Sequence, residues 1–374
     1  MTPIGAATVV GDHSHVIPHS FRIGRVAGIE IRVHITFFLL VPLFALAGAS
    51  PGGPGALGGI AWLVVIFACV LLHELAHCLV GRPRGAVVHE IELLPIGGVS
   101  KLEHLPENPR DEFAMAIAGP AASVAIAAGA AILAVALAEP LFPVNLFSGS
   151  ILTRLVWFNL LIAAFNLLPA FPLDGGRVLR ALLERRLDLE HSTRIAARVG
   201  RWVAVVLIVV GLFWDVWLVI IGIFVYFGAS AEEAATIVHV RLQGRRVADL
   251  MLLEPRVVDP GTDLEQLRSL VRRSSQRVFP VVGPRGYEGL LDADKIGLGS
   301  RAGIAAELVE RDAPVLAATD GLEACLLSVT TAPARALAVL DGPEVVGLLR
   351  AEEVEHLMTR LAREQHTRAE RGRG

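Results

Sequence analysis

Charge is what this chain has least of. Asp, Glu, Lys and Arg together make up 19% of its 374 residues, against roughly 25% in soluble chains. The deficit is uneven, falling before about residue 238, while charge is dense after it. Two regions in different solvents are therefore expected. Basic excess is lacking too. The formal net charge is −3, and no basic face large enough to neutralise many phosphates is present, which sets nucleic acid aside as a partner. Cysteine is scarce, with only Cys69, Cys78 and Cys325. Their spacing fits neither a disulfide framework nor a zinc ribbon, and the first two fall in an apolar helical pattern as small core residues. The first thirty residues hold no long apolar run. No cleaved signal peptide is expected, and the first hydrophobic segment would itself direct the chain to a membrane.

What is present is apolar: 53% of residues are hydrophobic and the mean hydropathy is +0.58. Residues 35–49, 56–80, 113–138, 151–168, 200–214 and 216–231 form six apolar runs, read as six crossings with the last two short. Ser50 to Gly55 is a Pro/Gly-rich turn. The third run is rich in Ala and Gly, which suits close helix packing in lipid. The connection Gly81–Glu112 carries Arg82, Arg84, Lys101 and Arg110, and Gly175–Gly200 carries Arg177, Arg180, Arg185, Arg186, Arg194 and Arg198. The connections at 50–55, 139–150 and 215 carry no Lys or Arg, so the positive-inside rule puts both termini in the cytoplasm. Arg154, just inside the outer end of the fourth run, is expected to snorkel outward. Residues 1–33 read as a cytosolic lead-in and 34–240 as a transmembrane domain.

Beyond about Arg245 the pattern becomes strand–helix–strand–strand–helix, twice over. One copy runs through Arg256–Val258, Leu264–Arg272, Val278–Val282 and Gly289–Leu291; the other runs through Pro314–Ala317, Leu322–Val329, Ala336–Leu340 and Val345–Leu349. This is a duplication with a period of roughly 55–60 residues, a size that fits two small α/β modules. Their ranges read as 245–300 and 301–360, with a polar tail at 361–374. The expected fold is thus a polytopic α-helical membrane protein with a C-terminal α/β tandem.

Within the second apolar run stands His73-Glu74-Leu75-Ala76-His77. On a helix the two histidines lie about 40° apart around the axis and one turn apart along it, so both imidazoles can reach one zinc. Glu74, beside them, can hold a water and take its proton. Ionisable groups in an apolar span each cost at least ~2.5 kcal/mol on insertion, and three on one helix need a reason. The alternatives are a polar patch at a helix interface or a proton relay. A catalytic metal needs a third protein ligand, and Asp174 is the best donor. It lies in Asn166-Leu-Leu-Pro-Ala-Phe-Pro-Leu-Asp174-Gly175-Gly176, where Pro169 and Pro172 break the fourth helix. Capping of the following helix is the competing role for Asp174. Asn159 and Asn166, seven residues apart on one face of the fourth helix, can hydrogen-bond a substrate carbonyl or an oxyanion, or glue helices together.

The H-E-L-A-H helix, the N-L-L-P-x-x-P-L-D-G-G segment and the paired C-terminal modules resemble the site-2 protease family in its form with cytosolic CBS domains. The likeness runs from about Phe21 to Met358. It implies an intramembrane zinc metalloprotease with His73, His77 and Asp174 as ligands of one Zn2+ and Glu74 as base. Its substrates would be single-pass membrane proteins in the bilayer. Leu94-Pro95-Ile96-Gly97-Gly98-Val99 resembles the family's glycine-containing hairpin, which makes Gly97 and Gly98 candidates for substrate contact. Val247-Ala-Asp-Leu-Met251, Phe279-Pro-Val-Val282 and Gly289-Leu-Leu resemble a CBS domain, and Val345-Val-Gly347-Leu-Leu with Glu353-Val354 resembles the end of a second. Such pairs commonly bind adenine nucleotides and would support gating or a homodimer. Here the phosphate and ribose positions hold Asp292 and Lys295, then Arg350 and Glu353. Both modules depart from the pattern, and Glu353 alone retains a ribose-binding chemistry. The rival reading is a CBS-regulated transporter or channel, or an inactive scaffold; it predicts polar residues in the spans without a complete ligand set. No G-x-S-x-G motif and no pair of intramembrane aspartates is present, which argues against serine or aspartyl chemistry.

Overall fold

The computed structural model describes residues 20–371 apart from 52, 96, 105, 107, 143, 145–148 and 297–302. Within the lead-in 1–33, residues 1–19 lie outside this set, as does Ile96 of the hairpin motif. Contacts divide the described chain into two units, one ending at Thr236 and one beginning at Ile237.

The described part of the first unit begins with strands, within the expected lead-in. β1 (Ser20–Val26) and β2 (Ile29–His34) form an antiparallel pair. The signal was present in Ile29, Ile31 and Val33, which alternate with Glu30 and Arg32 and are buried. They pack with Leu63, Phe67, Leu75 and Cys78 of the helix α2 (Ala56–Gly81), which follows α1 (Leu40–Gly48). β3 (Val87–Leu94) runs parallel to β2, and β4 (Gly97–His104) returns antiparallel to β3. The sheet order β1-β2-β3-β4 leaves β4 at an edge.

Next come α3 (Pro109–Ala136), α4 (Ile151–Asn166), α5 (Asp174–Leu183), α6 (Leu189–Trp214) and α7 (Val216–Leu242). α2, α3, α6 and α7 are long and apolar enough to cross a bilayer, and two shorter apolar helices span Ile35–Gly48 and Ile151–Asn166. The six expected apolar helices are therefore present, and the last pair is longer than expected. The Arg-rich connection after Gly175 contains the helix expected there, α5, and the start of α6. α3 packs against both α2 and α4, and its small residues Ala116, Ala127, Ala130 and Ala134 are all buried. Arg154 does not snorkel. It is 6% exposed, and its guanidinium lies 4.7 Å from the centre of the Trp62 ring on α2, a cation–π contact that partly replaces water.

The second unit contains β5 (Leu252–Leu253), α8 (Leu264–Arg273), β6 (Val278–Gly283), β7 (Gly286–Asp292), β8 (Leu316–Ala317), α9 (Leu322–Thr331), β9 (Ala336–Asp341), β10 (Glu344–Arg350) and α10 (Ala351–Arg371). The duplication has one register. Val258 bridges Val281 in parallel, and Leu316 pairs with Val339 in the same way, an offset of 58 (258 to 316, 281 to 339). At that offset the repeats also exchange their leading segments. Leu252 pairs with Leu348 of the second repeat, and Glu310 bridges Leu290 of the first. Arg246 bridges Gly321, and Ile304 bridges Asp263. Val247 is accordingly buried in the core around Leu322, Val329 and Leu349, and Ala305 in the core around Leu267, Phe279 and Leu291. The boundary near residue 300 is thus one of sequence, since each repeat contributes its first segment to the other. Cys325 sits in the former core as a packing residue, where burial and then Asp320 push its thiol up to about 11.

Candidate metal centre

Three elements of the first unit meet at one point. His73 and His77 stand one turn apart on α2, with Nε2 atoms 3.1 Å apart. α4 stops at Asn166, and α5 begins at Asp174. Its Oδ2 lies 3.2 Å from both Nε2 atoms. The capping role for Asp174 is not the one adopted, because Leu173 occupies the N-cap position and the carboxylate is turned to the histidines. The two glycines that follow allow this turn. A Cβ on Gly175 would collide with the carbonyls of Leu167 and Leu168, and one on Gly176 with the backbone of Ala170 and Phe171.

α3 orients the imidazoles. The Met115 carbonyl accepts a hydrogen bond from His77 Nδ1 at 2.7 Å. A carbonyl can only accept, so the proton sits on Nδ1 and the Nε2 lone pair faces Asp174. His73 Nδ1 lies 2.9 Å from Ser123 Oγ. Between these two residues, Gly119 leaves open the space beside both Nε2 atoms, which a Cβ there would fill.

Two imidazole nitrogens and a carboxylate oxygen converge in an interior where both histidines are buried. Such a convergence calls for a cation. The 3.1–3.2 Å edges are close to the roughly 3.3 Å between donors of a tetrahedral shell with bonds of about 2.0–2.1 Å. Two imidazole nitrogens and one carboxylate suit zinc and leave a position for a reactant. The residues present therefore fit a catalytic metal, and they are the group of three such ligands that converges among the described residues.

Glu74 is half-buried and near enough to His77 for its charge to act on the ring. Gly98 on β4 packs directly against its side chain, where a Cβ would lie 2.6 Å from Glu74 Cγ. Gly97 turns the hairpin at φ +139, a conformation open to glycine. Asn166 ends α4 and donates to the Ile162 carbonyl at 3.1 Å. Asn159 is fully buried one turn of α2 away from the histidines; its amide donates to Cys69 Sγ at 3.4 Å and to the Leu155 carbonyl at 2.9 Å. That amide is engaged on the helix interface. In the second unit a cleft of about 390 Å³ is lined by Arg277, Asp292, Asp294, Arg335, Arg350 and Glu352 among others. Glu353 pairs with Arg350 and lines a separate depression with His356 and Arg360. Sequence reasoning missed Met115, Gly119 and Ser123. They are a backbone carbonyl, a void and a lone hydroxyl in an Ala-rich helix, and carry no motif.

The sequence profile described as Peptidase family M50 matches residues 61–151 and 144–210. Over 347 residues, covering 92% of this chain and 97% of the relative, the chain is 30% identical to a zinc metalloprotease of Methanocaldococcus jannaschii. Among solved structures, a site-2 protease from Methanocaldococcus jannaschii aligns with 57% of this chain and 95% of its own, at 34% identity and a TM-score of 0.45. A CBS-pair protein from Arabidopsis thaliana aligns with 32% of this chain and 99% of its own, at 18% identity and a TM-score of 0.29.

The geometry gives one expectation. Ser123→Ala removes the partner of His73 Nδ1 and should lower Zn2+ affinity about 10–100-fold, measured by chelator competition on the purified protein. An unchanged affinity would show that Ser123 does not orient the ring.

Proposed function

The chain belongs to peptidase family M50, a multi-pass membrane metalloprotease family, and on that premise we propose that it cuts a peptide bond within or near the transmembrane segment of another membrane protein. His73, His77 and Asp174 hold one Zn2+, and Glu74 is the general base. The observation that carries this reading is the convergence of the three ligand atoms within 3.2 Å, with Glu74 next to His73 on the same helix. Zinc bound there would polarise the scissile carbonyl and acidify water. The chain's own part is to orient and to move a proton. Met115 fixes the His77 tautomer, Ser123 orients the His73 ring, Gly98 backs the Glu74 side chain, and the Glu74 carboxylate accepts a proton and returns it to the leaving amine. Asn166, at the end of α4, is the candidate donor to the substrate carbonyl.

The substrate must unwind. A membrane helix hides its peptide bonds, and unpaired backbone groups in lipid each cost several kcal/mol unless replaced. β4, at the sheet edge, offers a row of backbone donors and acceptors, and Gly98 on it packs against Glu74. A locally extended substrate adding to β4 would be paired and presented together. Both termini are cytoplasmic in this reading, from the Lys and Arg of the connections, and the site lies toward that side, where water can enter. The C-terminal repeats form a CBS pair that gates cleavage, a reading supported by their place directly after α7 in the chain. Adenine nucleotide would act weakly, since Asp292 and Arg350 stand where the phosphate-contacting hydroxyls are expected and Glu353 is tied to Arg350 outside the 390 Å³ cleft. A homodimer through the pair is consistent with such modules.

Three outcomes test this. Glu74→Gln should reduce cleavage by several orders of magnitude while one zinc per chain is retained; near wild-type turnover would remove Glu74 as base, and lost zinc would make it a ligand. Gly, Pro or Asn placed near the cytoplasmic end of a substrate's transmembrane segment should speed cleavage over an uninterrupted Leu helix at equal insertion. Equal rates at the same mapped cut site would discard strand pairing. Truncation after Ala235 should alter substrate cleavage without changing zinc content, and equal cutting by both forms across ATP and AMP titrations would discard gating.

A further inference from the structure

We propose that Arg180 is a positioning residue that holds the Asp174 carboxylate in place against the two histidines, an inference that rests on the metal-ligand reading above. Arg180 lies on α5, six residues after Asp174 and so roughly 9 Å along the helix axis. Its side chain is 3% exposed. Nε donates to Glu112 Oε1 at 2.9 Å, Nη2 donates to the same oxygen, and Nη1 donates to Glu232 Oε1 at 3.1 Å. The guanidinium also lies over Phe171, 5.2 Å from the ring centre, in the loop that leads into Asp174.

The identity of these partners makes the contact more than a packing feature. Glu112 is in the first turn of α3, three residues before Met115, whose carbonyl fixes His77. The same helix carries Gly119 and Ser123 against the ring nitrogens. The Glu112–Arg180 pair therefore joins the helix that orients both histidine ligands to the helix that starts with the third ligand. α5 has ten residues and no side-chain cap at its N-terminus. The first residue of so short a helix is free to fray unless something anchors it sideways. The planar guanidinium fork, shared between Glu112 and Glu232 and stacked on Phe171, supplies a directional anchor that a lysine ammonium would not reproduce. In sequence Arg180 looks like one more cytosolic-side arginine, yet its charge is used inside the protein.

The experiment compares full-length Arg180→Gln, Arg180→Lys, Glu112→Gln and Asp174→Ala in detergent or nanodiscs. The readouts are the Zn2+ dissociation constant by chelator competition, the visible spectrum of the cobalt-substituted protein, and the thermal midpoint of the metal-stripped protein. Asp174→Ala should lose zinc; if it keeps full affinity, the ligand reading fails before the positioning question arises. Given that loss, Arg180→Gln and Glu112→Gln should each weaken Zn2+ binding tenfold or more and change the cobalt spectrum. Arg180→Lys should recover part of the affinity. Wild-type zinc affinity and cobalt spectrum in both glutamine variants would overturn the proposal. So would a fall in the metal-free midpoint with no change in affinity, since Arg180 would then serve stability alone. If Arg180→Gln does not fold, Glu112→Gln and Arg180→Lys decide the question by the same readouts.

Discussion

Polar atoms brought together away from water must share a positive charge, and that constraint organises the candidate metal centre of the first unit. His73, His77 and Asp174 converge to 3.1–3.2 Å where both imidazoles are buried, a state that is favourable once a cation is shared among them. Everything around the point limits how the three groups can relax. The Met115 carbonyl and Ser123 hold the rings, Gly119 keeps the space beside them open, and Gly175-Gly176 lets the chain pack tightly enough to bring in the carboxylate at the start of α5. The apolar span makes the same demand from outside, because ionisable groups placed there are costly without partners.

Other arginines withdrawn from water in the first unit meet the same constraint by different means. Arg180 is matched by Glu112 and Glu232, and Arg201 on α6 pairs with Glu233 on α7 at 2.6 Å. Arg154, with no carboxylate within reach among the described residues, lies over Trp62 instead. Buried ion pairs of this kind are poor sources of net stability but costly to break one-sidedly.

Much of this was legible in the sequence because the chemistry is local there. The H-E-L-A-H spacing specifies its own helix geometry, the paired prolines before Asp174 disfavour a helix running on through that segment, and the apolar runs and the repeat declare themselves by period. What was hidden is relational. Residues 20–33 read as part of a lead-in because the alternation of Ile29, Ile31 and Val33 with Glu30 and Arg32 is short, although those three are core residues. Arg180 and Arg154 were counted by charge, and charge in a sequence does not reveal a partner 68 residues away or a ring on another helix. Asn159 and Asn166 share a face in the sequence, but the structure commits the amide of the first to Cys69 and Leu155. The exchange between repeats is invisible for a stronger reason: two identical periods look the same whether each segment pairs at home or across.

That exchange has a consequence for synthesis on the ribosome. Leu252 finds its strand partner only when Leu348 exists, about a hundred residues later, which at ~5–20 residues per second is on the order of 5–20 s. The first repeat likewise waits for Glu310 to cover Leu290. Neither half can close alone as the chain emerges. The C-terminal unit is therefore completed late and all at once, after the helices that precede it have been delivered to the bilayer.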